Sequence, residues 1–224
     1  MDQIVRYFFD FPLMKDHWPD ILKGFLITVQ MSVLTILIGI PLGLLIAIIR
    51  LYGIKPLNAL IIFYIDLFRS IPQLVLIVLA YFALPHFGLV LEPFTATGVA
   101  LALVLSAFAE EIFWAGINSV HKGQWEAGRS TGLGFTQTLA YIILPQVVRI
   151  SIPPLTNRAI GISKGTTLGS VVAVPELLNV TSSIQSNVAN PTALTVGALL
   201  FLALFLPFVR FTRWLERAYA HPRT

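Results

Sequence analysis

Long apolar runs separated by short polar turns constrain this chain more than any other feature. A helix needs about 20 mainly apolar residues to cross the hydrocarbon layer of a membrane. Windows of that kind lie at 21–50, 57–84, 94–120, 138–163 and 193–211. Composition agrees: 12% of the residues are charged, where a soluble domain of this size carries about 25% to cover its surface. The chain is therefore read as an all-α integral membrane protein with about five transmembrane helices, a single domain over 1–224. Gly39, Pro41 and Gly43 in the first span, and Pro145, Pro153 and Pro154 in the fourth, are tolerated because neighbouring helices re-satisfy the freed carbonyls. Gly39 and Gly43, four apart, form either a close-packing face or lipid-facing filler.

Loop charge sets the orientation. Arg50 and Lys55 follow the first span, His121, Lys122 and Arg129 follow the third, and Arg210, Arg213, Arg217 and Arg223 end the chain. Residues 85–93 contain no Lys or Arg. The positive-inside rule places the N-terminus outside and the C-terminus in the cytoplasm. Residues 164–191 then lie on the outer side, where 168–178, too short to span, reads as a re-entrant or interfacial helix. Asp2, Arg6, Asp10, Lys15, Asp16 and Asp20 are scattered through the first 23 residues, unlike a cleaved signal peptide, so no processing is expected. The net charge of +4 is explained by the membrane rather than by a nucleic-acid partner.

Several chemistries are excluded or disfavoured. Cysteine is absent, so there is no disulfide, thiolate nucleophile or Cys-ligated metal centre. His17, His86, His121 and His221 sit in loops or ends and make no metal pair, so no metal site is expected. There is no Gly-x-x-x-x-Gly-Lys-Ser/Thr phosphate loop, so the chain binds no nucleotide by that device. Energy for any transport comes from a partner or a gradient. No internal repeat of the secondary-carrier kind is visible.

The loop at 121–137 is the most informative stretch. Gly123-Gln124-Trp125-Glu126-Ala127-Gly128-Arg129-Ser130-Thr131-Gly132-Leu133-Gly134 has room for two short helical pieces with a turn at Gly132. It is either a docking surface, since such an element does not stay helical in isolation, or a solvated connector.

This loop resembles the EAA loop of the ABC importer permeases: Glu-Ala-Ala, three residues, Gly, nine residues, Ile, any residue, Leu-Pro. Glu126, Ala127, Gly132, Ile142, Leu144 and Pro145 stand at that spacing, with Gly128 in place of the second Ala. The polar-amino-acid branch of the family is resembled by Gly24, Thr28, Gly39, Gly43 and Arg50, and by Phe68-Arg69-Ser70-Ile71-Pro72. Its further matches are Glu111-Ile112 with Gly116-Ile117, then Pro145-Gln146, Arg149, Pro153-Pro154-Leu155, Asn157, Lys164, Thr166, Leu168, Ser170 and Glu176-Leu177. Trp114, Gly165 and Phe108 depart from it, where Arg, Asp and Tyr are usual.

The resemblance implies a type I importer permease in a bacterial inner membrane. It would work paired with a second permease, the same or homologous, over an ABC ATPase dimer that binds ATP and Mg. An extracytoplasmic substrate-binding protein would deliver a polar amino acid. Gln124, Glu126, Ala127, Gly128, Ser130, Gly132 and Leu133 would then form a coupling helix on the ATPase. Lys164, Gly165, Thr166, Thr167 and Ser170 would form an outer gate, with an ordinary helix end as the alternative. Asp66, Arg69, Glu110, Glu111 and Trp114 form a substrate pathway or an intramembrane set. Asp66 and Arg69, three apart, share a helix face, and Arg69 either pairs with Glu111 across helices or takes a ligand carboxylate. A gradient-driven secondary carrier is the alternative function, and an intramembrane enzyme is disfavoured.

Overall fold

A computed structural model describes residues 7–219; Asp2, Arg6, His221 and Arg223 lie outside the described residues. Every regular element among those residues is helical. A short 3-10 helix, Phe11–His17, leads into α1, Trp18–Arg50. Its buried Met14 packs with Ile21, Leu177, Ile184, Ala193 and Val196, and the Asp10 N–H donates to Thr192 Oγ1 at 3.0 Å.

The second hydrophobic run does not continue as one helix. It is α2, Lys55–Ser70, and α3, Gln73–Val78, which extends through a π turn at Leu79–Ala83 and a 3-10 turn at Leu84–Phe87. The two limbs are bent by 106°. The cause is Ile71-Pro72: the ring of Pro72 disfavours the helical region for the residue before it, and Ile71 is extended at φ −83°, ψ 131°.

The helix α4, Pro93–Ser119, is the centre of the bundle: 67% of its most apolar window is buried, against 28% for α1. Glycines let α1 approach it. A Cβ at Gly39 would lie 2.8 Å from Leu105 Cβ, and one at Gly43 would lie 2.5 Å from Ala109 Cβ and 2.6 Å from the Ser106 carbonyl. These two glycines are a packing face and not lipid-facing filler. On the outer faces, Leu37, Leu60 and Phe63 are 64%, 66% and 65% exposed, the arrangement expected of side chains that meet lipid.

After α5, Lys122–Ser130, one helical run extends over Phe135–Val172. It comprises α6, Phe135–Thr138, a π turn at Leu139–Ile143, α7, Leu144–Lys164, and a 3-10 stretch, Gly165–Val172. This run is longer than the 138–163 expected from hydropathy, because the tight 3-10 turns carry it outward. Residues 168–178 are not one helix. Ala173 enters the left-handed region at φ 61°, and a new helix, α8, Leu177–Val188, starts behind Glu176. The last span is α9, Thr192–Tyr219. Four helices are long and apolar enough to cross a membrane, and five spans result when α2 and α3 are counted as one broken span.

Candidate functional site

Two regions concentrate polar chemistry: the loop between α4 and α7, and the polar face where α2, α3, α4 and α7 meet. The loop folds as α5, a turn and α6. The His121 side chain caps α5 by accepting from the Gly123 N–H at 3.1 Å. The helix ends in a Schellman arrangement: Leu133 N–H donates to the Gly128 carbonyl at 3.4 Å and Gly132 N–H to the Arg129 carbonyl at 3.0 Å. Gly132 takes φ +85°, a conformation that glycine adopts without steric cost.

The helix α5 has two faces. Gly128 is buried, and a Cβ there would lie 2.6 Å from Thr138 Cγ2 and 2.8 Å from Ile142 Cδ1. Glycine at this place in the motif thus sets close contact with the π turn that leads into α7. Trp125 stacks on Phe135 at 5.4 Å between centroids and 18° between planes, and Gln124 Oε1 accepts from Gln146 Nε2 at 3.3 Å. Gln124, Glu126, Ala127, Arg129 and Ser130 are exposed, and Leu133 is half-buried. One side of α5 is therefore keyed to the start of α7 while the other is open.

Within the spans, the adjacent Glu110 and Glu111 point to different helices. Glu110 is fully buried and pairs with Arg50 at 2.9 Å, whose guanidinium also lies 4.2 Å from the Trp114 ring centroid. Glu111 pairs with Arg69 at 2.7 Å, and both side chains are partly exposed. Arg69 reaches across to α4 and makes no ion pair with Asp66, which is exposed. Arg50 belongs to the buried pair, although its place at the end of a hydrophobic run reads as loop charge. Arg158 is a second residue that sequence reading passes over. Its guanidinium lies 3.8 Å from the centroid of the Phe108 ring, with Arg69 on the same ring at 5.3 Å. The cue was available: no acid stands three or four positions from Arg158 on its own helix.

The residues expected to form a gate have separate partners. Lys164 turns toward Phe205 of α9, 5.7 Å from the ring. Buried Gly165 faces the Gln73 side chain and Leu101. The Thr166 and Thr167 hydroxyls donate back to the carbonyls of Ser163 and Lys164, at 2.9 Å each. Ser170 donates to Glu176 Oε1 at 2.6 Å. Glu176 organises this end of the molecule, accepting also from the N–H groups of Leu178 at 2.9 Å and Asn179 at 2.7 Å as the cap of α8. Burial pushes its carboxyl above the ordinary range, opposed by those hydrogen bonds. The Leu177 N–H donates to Thr28 Oγ1 at 3.1 Å, which ties α8 to α1. No cluster able to hold a metal ion occurs among the described residues.

Comparison with known proteins adds four findings. The family described as "Binding-protein-dependent transport system inner membrane component" matches residues 39–221. The probable amino-acid ABC transporter permease protein YckA of Bacillus subtilis (strain 168) is 34% identical over 217 residues, 96% of each chain. The probable glutamine ABC transporter permease protein GlnM of the same organism is 37% identical over 193 residues, 86% of this chain and 88% of that one. Among solved structures, a chain described as "Crystal structure of an amino acid ABC transporter with histidines" superposes with a TM-score of 0.82 at 32% identity. It covers 92% of this chain and 96% of its own.

Proposed function

Because the chain belongs to the family of binding-protein-dependent transport system inner membrane components, we propose that it is the membrane-spanning permease subunit of an ATP-driven ABC importer for a polar amino acid. It is a multi-pass inner-membrane protein and carries no ATPase site of its own; ATP and Mg are bound by the partner subunits. The observation that carries the reading is α5. It stands at the family's coupling position, is keyed by Gly128 and Trp125 to the start of α7, and leaves Glu126, Ala127 and Ser130 open. A helix of nine residues does not hold together alone. Its open side is the surface an ATPase dimer occupies, so closure of the ATPases moves α5 and, through the π turn, α7. Glu126 makes the contact, and the Gly132 turn keeps α5 at its angle. The secondary-carrier alternative gives α5 no such task.

The remaining partners follow from the same reading. A second permease, the same or homologous, covers the polar face of α2, α4 and α7, since exposed Asp66, Arg69 and Glu111 in a span are costly against lipid. An extracytoplasmic binding protein supplies the amino acid. Gly165, Thr166 and Ser170, between α3 and α8, form the outer closure, while Lys164 lies outside it. The N-terminus is outside and the C-terminus cytoplasmic, supported by Lys55, Lys122, Arg129, Arg210, Arg213 and Arg217.

Absence of native cysteine makes the test direct. Ala127→Cys and Ser130→Cys are expected to cross-link to a cysteine in the groove of the ATPase. In vesicles stripped of the ATPase, they are also expected to react with a membrane-impermeant maleimide when inside-out and not when right-side-out. Reaction from the outer side in right-side-out vesicles would reverse the orientation, and no cross-link at either position would remove α5 from the ATPase interface.

A further inference from the structure

We propose that Arg158 receives the α-carboxylate of the transported amino acid, and that the pocket around it selects amino acids with neutral or anionic side chains over cationic ones. This rests on the permease reading above and deepens it. Three observations carry it. Arg158 lies near the middle of the 38-residue run Phe135–Val172, and Phe108 lies in the middle of α4, so their contact falls within the spanning part of both. A guanidinium at that depth is costly unless it is paired or functional. Arg50 and Arg69 have carboxylate partners, but no carboxylate lies within ion-pair distance of Arg158 among the described residues.

The guanidinium is also held in place. It lies 3.8 Å from the Phe108 centroid, a cation–π contact that holds it against the ring. Finally, there is room for a ligand. A cavity of about 410 Å³ is lined by Arg69, Gln73, Phe108, Arg158 and Leu168, among others, within the size range of small-molecule sites. Arg69 enters it already neutralised by Glu111 at 2.7 Å. The cavity wall therefore carries one guanidinium in excess. A carboxylate meets that guanidinium in a charge-assisted, bidentate pair, the Gln73 amide offers hydrogen bonds to a neutral side chain, and a second cation on the ligand is repelled. The Arg69–Glu111 pair thus belongs to the wall, and the carboxylate role weighed for Arg69 passes to Arg158.

The test uses the permease–ATPase complex in lipid nanodiscs without a binding protein, so that only the membrane pocket is read. Tritiated L-glutamine, L-glutamate, L-cystine and L-arginine are titrated by scintillation proximity. One of the first three is expected to bind saturably, with L-arginine at least about tenfold weaker and the α-carboxamide of the bound ligand unable to compete. Arg158→Gln is expected to lose about tenfold or more in affinity, and Arg158→Lys to lose less than Arg158→Gln, because the charge survives while the bidentate fork is lost. The proposal is overturned if L-arginine binds tightest, if the α-carboxamide competes as well as the acid, if nothing binds saturably, or if Arg158→Gln binds normally. It is also overturned if Arg158→Gln dissociates the two permeases, which would give Arg158 a carboxylate of the partner instead. The α-carboxamide and L-arginine comparisons need no variant, so they decide the matter even where a substitution spoils folding. Failure of the permease reading itself looks different: no ATPase subunit purifies with the chain.

Discussion

Gly43→Val is expected to be among the most destabilising single changes on the lipid-spanning helices. A Cβ at this position meets Ala109 Cβ at 2.5 Å, the Ser106 carbonyl at 2.6 Å and the Glu110 N–H nitrogen at 2.8 Å. Two of these are backbone atoms of α4, so relief requires α1 to move away from the central helix. Overpacking in a core costs about 1–3 kcal/mol where side chains can adjust, and the backbone contacts here push the cost to the top of that range or beyond. For a chain of this length about 3 kcal/mol corresponds to roughly 6–12 °C in thermal midpoint. Gly98→Ala on α4 is the control, since a Cβ there meets nothing within 4 Å. Thermal unfolding in one detergent decides it, and equal midpoints for both variants would remove the α1–α4 seam as the point of closest packing.

Glu110→Ala is the second large effect. The carboxylate is fully buried and holds Arg50, which is 19% exposed. Removing one partner of such a pair leaves an uncompensated charge at a cost of about 3–5 kcal/mol. Glu111→Ala breaks a pair whose members are 34% and 48% exposed, where about 1 kcal/mol or less is expected. Adding Arg50→Met to Glu110→Ala should recover much of the loss, because the unpaired guanidinium goes with it. Urea unfolding of the three variants tests this ordering. Equal losses for the two glutamates, or no recovery in the double variant, would contradict it.

The contrast between these adjacent glutamates shows how far the sequence could be read. Neighbours on a helix point in different directions, and Arg69–Glu111 is one of the pairings considered. Arg50–Glu110 was hidden because Arg50 lies at the end of a long hydrophobic run, where a basic residue also serves the positive-inside rule. Apolar runs set the spans, since burial in lipid demands them whatever the packing. The bend at Ile71-Pro72 was not legible in the same way. Proline inside a membrane helix is often absorbed as a kink, and only packing decides whether the chain turns by 106°. Gly128 illustrates the converse. Its lower helix propensity was visible in sequence, but its reason, contact with Thr138 and Ile142, arises from residues ten and more positions on. Around the expected gate, a 3-10 stretch with near three-residue spacing follows Lys164, so Lys164 turns toward Phe205 while Thr166 is buried, a difference that the run of residues does not display.

The central claim is that α5 couples this chain to ATP hydrolysis by a partner. It is tested most directly by measuring ATP hydrolysis in the complex purified through this chain from its native membrane in mild detergent. An ATPase subunit is expected to co-purify, with hydrolysis stimulated by a binding protein loaded with one amino acid. Gly132→Asp, which forces a side chain onto φ +85° at a backbone cost of order 1–3 kcal/mol, should abolish that stimulation. A clean preparation with no ATPase subunit and no hydrolysis, still moving an amino acid into liposomes on an ion gradient, would contradict the account and make this chain a secondary carrier.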